Sequence, residues 1–324
     1  MKKKRQETPL SLGVPADYSL EKQGITQSLM SSFLQCRQKF IYAINRMSSA
    51  KKTSTTNFGS IVHHGIAVLY SVKPHPVVSD IVGALRVYRK ENAADLARID
   101  AQQVERDFAV AEVMLTKYIS YYMSDWMEMR DRQPEEEINF SPFDGSKIIG
   151  RCKIDGRYRD KANKKWLIEH KTKGRISEES LVKRLSFDPQ NLFYLLADKR
   201  QTKEEAIGVL YNIIRNPQIK PKVNETLPDF CKRLTEDINT RPEFYFLRFE
   251  IPYTSIDKKR FENHLREIIL DIERLTKGES AVYRNCYACD SPYSCEYLDA
   301  CASNSFADYF QREKIFTELV DCEY

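Results

Sequence analysis

Apolar positions change their period along this chain, and the changes divide it. Over 26–44, "TQSLMSSFLQCRQKFIYAI", they recur at three and four residues, the spacing that lines one face of a helix, with Thr26 or Ser28 as its cap. The polar run "NRMSSAKKTSTT" interrupts, and "FGSIVHHGIAVLYS" resumes the helical spacing. From about 77 to 131 apolar residues keep that spacing in a polar background almost without Gly or Pro, which predicts two or three helices, the last over roughly 102–128. "QPEEE" ends this block. The period then drops to two. "KIIGRCKIDGRYRD" alternates, "NKKW" reads as a turn and "WLIEHKT" as a second strand, so 147–172 is expected to be a hairpin with Lys164 and Lys165 in a solvated turn. A helix over 188–200 follows, capped by Asp188 with Pro189 at its first position. A buried strand over 206–215, a short helix over 229–240, a strand over 243–253 and a closing helix over 255–277 complete the pattern.

Helices, then strands alternating with helices, predict an α/β fold: a mixed β-sheet core flanked by helices, with a helical insertion ahead of it and a Cys-rich tail behind. No linker divides the pattern. We read residues 1–25 as a flexible arm and 26–324 as one domain, with the helical block at about 65–135, the core at about 138–280 and the tail at 286–301. With 42% apolar residues the chain can bury a real core, and no apolar run approaches the ~20 residues that span a bilayer. "MKKKRQE" is basic but no apolar stretch follows it, so it reads as a floppy arm with weak attraction for phosphate rather than a secretory signal. A cytoplasmic location, in a bacterium or a phage host, is the expectation. The net charge of +5 is only mildly favourable to a polyanionic partner.

Chemistry concentrates in the hairpin. Side chains alternate between faces of a strand, so Glu169 and Lys171 project together and His170 points the other way. A turn near 160–165 sets Asp155 beside Glu169. Two carboxylates that close repel unless a cation sits between them, and oxygen ligands suit Mg²⁺ or Mn²⁺. Lys171 would then orient a water and stabilise charge developing on a phosphorus centre. A cross-strand salt bridge would leave the same trace in the sequence. Tyr118, Tyr121, Tyr122 and Trp126 fall near one face of a helix, either as core or as a platform for unpaired bases.

Further motifs accompany this pair: "GSIVHHG", with Gly59 four residues before His63; "IDG", with Asp155; and "QNLFY", with Gln190 and Tyr194 one helical turn apart. In the order His, Asp, Glu-x-Lys, Gln-x-x-x-Tyr, they resemble the PD-(D/E)XK nuclease superfamily and, within it, the RecB-like exonuclease branch. Ile154 stands where that family has its proline. The resemblance spans roughly 26–301 and implies a restriction-endonuclease-like fold. By it, His63, Asp155, Glu169 and the main-chain carbonyl of His170 are metal ligands. Asp155, Glu169 and Lys171 are catalytic, and Gln190 and Tyr194 lie near the DNA strand. His64, one residue out of phase, is not expected to be a ligand. A surface or core role for His63, and a packing role for Tyr194, are the plainer alternatives.

The eight cysteines are unevenly placed. Cys152, Cys231 and Cys322 are isolated, whereas Cys286, Cys289, Cys295 and Cys301 crowd into "NCYACDSPYSCEYLDAC". Such grouping binds zinc or an iron–sulfur cluster. The tail resembles those of the iron–sulfur RecB-like nucleases, including the AddB nuclease domain and the CRISPR-associated adaptation nucleases, which take one Cys from an N-terminal helix. That resemblance implies a 4Fe-4S cluster on Cys36, Cys289, Cys295 and Cys301, with Cys286 a rival ligand and Zn²⁺ on the four local thiols the alternative.

These readings converge on a metal-dependent DNA exonuclease acting at single-stranded or free ends, in phage or mobile-element DNA processing or recombination. No Gly-x-x-x-x-Gly-Lys-Ser/Thr loop appears, so a stand-alone nuclease rather than a helicase-coupled one is expected. A structure-selective endonuclease and a non-catalytic DNA-binding scaffold are the alternatives. Protein partners are not legible.

Overall fold

The drop to a two-residue period marks a real boundary, because Gly156–Arg159 and the strands predicted after it join one sheet. In the computed structural model, which describes residues 12–49, 55–72, 74–97, 99–290, 294–317 and 319, five strands pair in chain order. They are β1 (Arg130–Gln133), β2 (Gly156–Arg159), β3 (Lys165–Lys173), β4 (Gly208–Arg215) and β5 (Phe246–Pro252). β3 and β4 are parallel and every other neighbouring pair is antiparallel, so the sheet is mixed as expected. The basic N-terminal stretch and Cys322 lie outside the described residues.

The chain divides into two compact units. One comprises Thr53–Glu136 and Lys153–Lys258 and contains the sheet and the helices that surround it. On the sheet, Trp166 and Ile168 of β3 and Leu210 and Ile214 of β4 enter one core with Ile61, Ile66 and Tyr70 of the helix Thr55–Ser71 and Leu115 and Tyr118 of the helix Ala101–Tyr121. The alternation of the strands sends Glu169, Lys171 and Lys173 to the opposite face. Tyr118 and Trp126 are 0% and 3% exposed, so these two aromatics are core, and the Tyr118 hydroxyl accepts from Arg248 Nη2 at 2.7 Å.

The other unit takes the described residues of Met1–Lys52, Glu137–Cys152 and Lys259–Tyr324. Its core includes Tyr18 and Phe33 edge-on to Phe40, and Tyr42 packed on Tyr297 and Phe306. Arg151 Nε donates to Gln23 O at 2.7 Å and tethers the first turn.

Three expectations need correction. The helix predicted over 26–44 is two, Gln27–Gln35 and Arg37–Ile44. Cys36 between them is extended (φ −164°, ψ 121°), and Thr26 is the cap, accepting from Leu29 N at 3.2 Å. The long strand before the turn is also two pieces: Gly150–Ile154 pairs with an unforeseen strand, Glu136–Phe140, and only Gly156–Arg159 joins the main hairpin. Lys165 is not in a solvated turn. It opens β3, is buried, and pairs with Asp198 at 2.7 Å. A buried acid made a lysine a core residue, which no local pattern announces.

Candidate metal centre

The break between the two strand pieces falls on Asp155, and this frees its side chain. Gly156 follows because β1 passes close: a Cβ there would come within 2.9 Å of Gln133 O. Register places Gly156 opposite Ile168, hence Asp155 opposite Glu169. Asp155 Oδ2 accepts the main-chain N–H of His170 at 2.7 Å and lies 3.0 Å from His63 Nε2.

His63 arrives on the helix Thr55–Ser71. Gly59 lets that helix approach β3, for a Cβ there would sit 2.9 Å from Thr172 Oγ1. One turn later His63 reaches the acids. Its Nδ1 is 3.6 Å from Glu135 Oε2, and Glu135 Oε1 pairs with Lys153 Nζ at 2.7 Å. His63, Glu135 and Asp155 offer ligand atoms all within 4.8 Å of one another, so they can hold a metal ion. Glu169 is outside that set. It is 1% exposed and forms an ion pair with Lys171 on the same face of β3.

The electrostatics follow from this arrangement. Burial pushes the Glu169 carboxyl up to about 7, against Lys171, which lowers it, and with Asp155, which raises it further. Burial would also raise Asp155, but His63, His170 and Lys171 outweigh it and hold that carboxyl well below the usual range. His63 is pushed up by Asp155 against the effect of burial. Lys171, half-buried, is raised by Glu169 and Asp155 against the effect of burial.

His170 points the other way. It pairs in register with Asn212, and Asn212 with Arg248. Arg248 Nε donates to Asn212 Oδ1 at 3.0 Å, so Asn212 turns its NH₂ to His170 Nδ1 at 2.8 Å. Arginine has only donors, so the chain of bonds puts the His170 proton on Nε2. Burial holds this imidazole down to about 3, hence neutral. Its side chain packs 4.9 Å from the Tyr70 ring.

Gln190 and Tyr194 do share a face: Gln190 Nε2 donates to Tyr194 Oη at 2.9 Å on the helix Pro189–Thr202, which Asp188 caps through Gln190 N and Asn191 N. His64 instead packs on Tyr88, 5.3 Å between rings. Sequence reasoning missed Glu135 and Lys153. Lys153 stands two residues before Asp155, a spacing that could have found it. Glu135 lies in an acidic run with no periodicity to single it out.

Cys36 and the tail cysteines belong to the other unit. Cys36 Sγ accepts from Asn285 N at 3.4 Å, Cys289 Sγ lies 3.8 Å from Asn285 O, and Cys301 Sγ lies 3.8 Å from Tyr42 Oη. Burial raises the Cys289 thiol, and Cys295, Cys301 and Cys36 raise it further, so these four sulfurs share one neighbourhood. Cys286 is exposed.

No family model matches the chain, and no curated protein does. Nine chains of solved structure match. One, named "Putative exonuclease" and from Eubacterium rectale, is 13% identical with a TM-score of 0.49 over 88% of this chain and 89% of that one. Another, SSO0001, is 11% identical with a TM-score of 0.29 over 76% of this chain and 84% of that one. At such identities and scores neither likeness bears on function. No helix among the described residues is long and apolar enough to cross a membrane.

Proposed function

We propose that this chain is a metal-dependent deoxyribonuclease of the PD-(D/E)XK type, an exonuclease working at single-stranded or free DNA ends. The observation that carries the reading is the convergence of His63, Glu135 and Asp155 within ligand distance of one another, with the Glu169–Lys171 pair on the strand opposite Asp155. The donor set fits a hard divalent cation. It offers carboxylate oxygens and one imidazole, with the carboxylate of Glu169 buried on the neighbouring strand. His63, Asp155, Glu169 and the His170 carbonyl would hold Mg²⁺ or Mn²⁺, with Glu135 joining or steering His63. Bound there, the cation supplies Lewis acidity to a phosphate oxygen.

The chain's own groups do the rest. Lys171 places a positive charge where negative charge grows on the phosphate and orients the attacking water through its N–H bonds. Water attacks phosphorus in line and gives up a proton to solvent, and the P–O bond to the departing nucleoside oxygen breaks as that oxygen takes a proton from solvent. Gln190 and Tyr194 would position the strand. Incubation with Mg²⁺ or Mn²⁺ should degrade linear DNA and spare closed circles, and EDTA should stop it. Cleavage of closed circles would favour an endonuclease, and no metal-dependent cleavage of any DNA would leave only the scaffold reading.

The tail is proposed to carry a 4Fe-4S cluster on Cys36, Cys289, Cys295 and Cys301. The backbone N–H aimed at Cys36 Sγ and the shared neighbourhood of the four thiols support it. A cluster there would tie the segment around Cys36 to the tail and contribute to folding of that unit. Anaerobically purified protein is expected to be brown, with broad visible absorption that Cys289→Ser largely removes and Cys286→Ser leaves intact. Colourless protein with stoichiometric zinc would establish the other metal.

A further inference from the structure

We propose that Phe187, with Lys173 and Arg184, forms a seat for one unpaired nucleotide beside the metal centre: the ring lies under a base and the two cations take its phosphates. The inference rests on the nuclease reading and names a part of its substrate site that lies outside the motifs.

Phe187 is 67% exposed, more than any other aromatic described in the unit that holds the metal centre. A single exposed apolar side chain is ordinary. This one, however, sits in a turn pinned on both sides. Phe187 N donates to Arg184 O and Asp188 N to Leu185 O, both at 3.3 Å. The Tyr253 hydroxyl donates to Leu185 O and accepts from Asn191 Nδ2. Leu185 is buried and Asp188 caps the next helix. Both neighbours are fixed, so the ring is held outward.

The surroundings are cationic. Lys173 ends β3 on the face of Glu169 and Lys171. Arg184 and Asp188, which bracket Phe187, lie within electrostatic reach of Lys173 and of Tyr211, the residue in register with Glu169. The Asp188 carboxylate is committed to the N–H groups of Gln190 and Asn191. Among the described residues neither Lys173 nor Arg184 has an acid at ion-pair distance. An aromatic face flanked by unneutralised cations is what a single strand requires: every base has a π-face, and every nucleotide brings a phosphate. An apolar protein partner would bury these charges unpaired, at a cost.

The test uses the full chain carrying Asp155→Asn, so that strands stay intact and the His170 N–H keeps its acceptor, and two probes: a fluorescein-labelled oligothymidylate and an abasic strand of equal length. Trp126 and Trp166 are buried, so a tryptophan placed by Phe187→Trp reports on its own position. We expect oligothymidylate to quench it saturably and the abasic strand to leave it unchanged. By anisotropy, Phe187→Ala should weaken oligothymidylate binding roughly tenfold and leave abasic binding unaltered, and Phe187→Tyr should restore the loss. Equal quenching by both strands, or an undiminished affinity in Phe187→Ala, overturns the seat while the nuclease reading stands. Absence of any binding by the Asp155→Asn parent overturns both.

Discussion

Asp155→Ala is expected to lower metal-dependent DNA cleavage by at least about 10³-fold, the scale of several kcal/mol of lost transition-state stabilisation, while affinity for DNA stays within about threefold. The residue sits where three things meet. It faces His63 Nε2 at 3.0 Å, it accepts the His170 N–H at 2.7 Å, and it lies opposite Glu169 in register. Without it, His63 keeps Glu135 as its ion-pair partner, and a cation held there would lose the acid that faces both His63 and the His170 N–H. Binding survives because DNA affinity comes mainly from Lys and Arg on phosphates, and none of these is removed. Alanine also strands a buried N–H, so part of its effect could be misfolding. Asp155→Asn separates the two, because its amide oxygen still accepts from His170 while its charge is gone. Both variants should be inactive, and Asn should melt close to wild type. The check is initial rates on linear DNA with Mn²⁺, alongside anisotropy for binding. Activity within tenfold of wild type in Asp155→Asn would remove the acid from the mechanism.

The sequence made the placement of the hairpin's polar side chains legible because it follows from periodicity. Two-residue alternation puts Glu169 and Lys171 on one face, and a short turn puts Asp155 opposite. The capped helix at Asp188–Pro189 was equally readable, since a side-chain cap and a proline at the first position are local signals. What stayed hidden was non-local. Glu135 reaches His63 only because β1 pairs with β2, and β1 has no alternation of its own. The break at Cys36 interrupts an unbroken helical period, so pattern alone runs through it. Asn212 and Arg248 join the site's hinterland through register with His170, and register is a property of the folded sheet. Lys165 looked like a surface lysine because its acid is 33 residues away in the chain, at Asp198.

That acid yields the largest expected effect on stability. Asp198 is 0% exposed on the helix Pro189–Thr202 and holds two buried cations, Arg157 through Nε at 2.6 Å and Lys165 through Nζ at 2.7 Å. Arg157 also meets Gln201 Oε1 at 2.9 Å and pairs with Glu136, which is only partly buried, while Lys165 reaches Thr202 Oγ1 at 2.8 Å. Asp198→Ala leaves these cations facing each other with Glu136 as their remaining acid. An uncompensated buried charge costs about 3–5 kcal/mol, a large fraction of a domain's net stability. The midpoint of urea unfolding should fall accordingly. The damage should also reach the site: Arg157 lies two residues after Asp155, Lys165 four before Glu169, and the same helix carries Gln190 and Tyr194. The reverse experiment discriminates a charge effect from a packing one. Replacing the three together, Asp198→Leu with Arg157→Met and Lys165→Met, removes the charges as a set and should recover most of the lost stability, since apolar substitutes for a buried ion cluster are often neutral or better. If the triple variant is as unstable as Asp198→Ala, the loss comes from shape, and the ion cluster is not what fastens this helix to the hairpin.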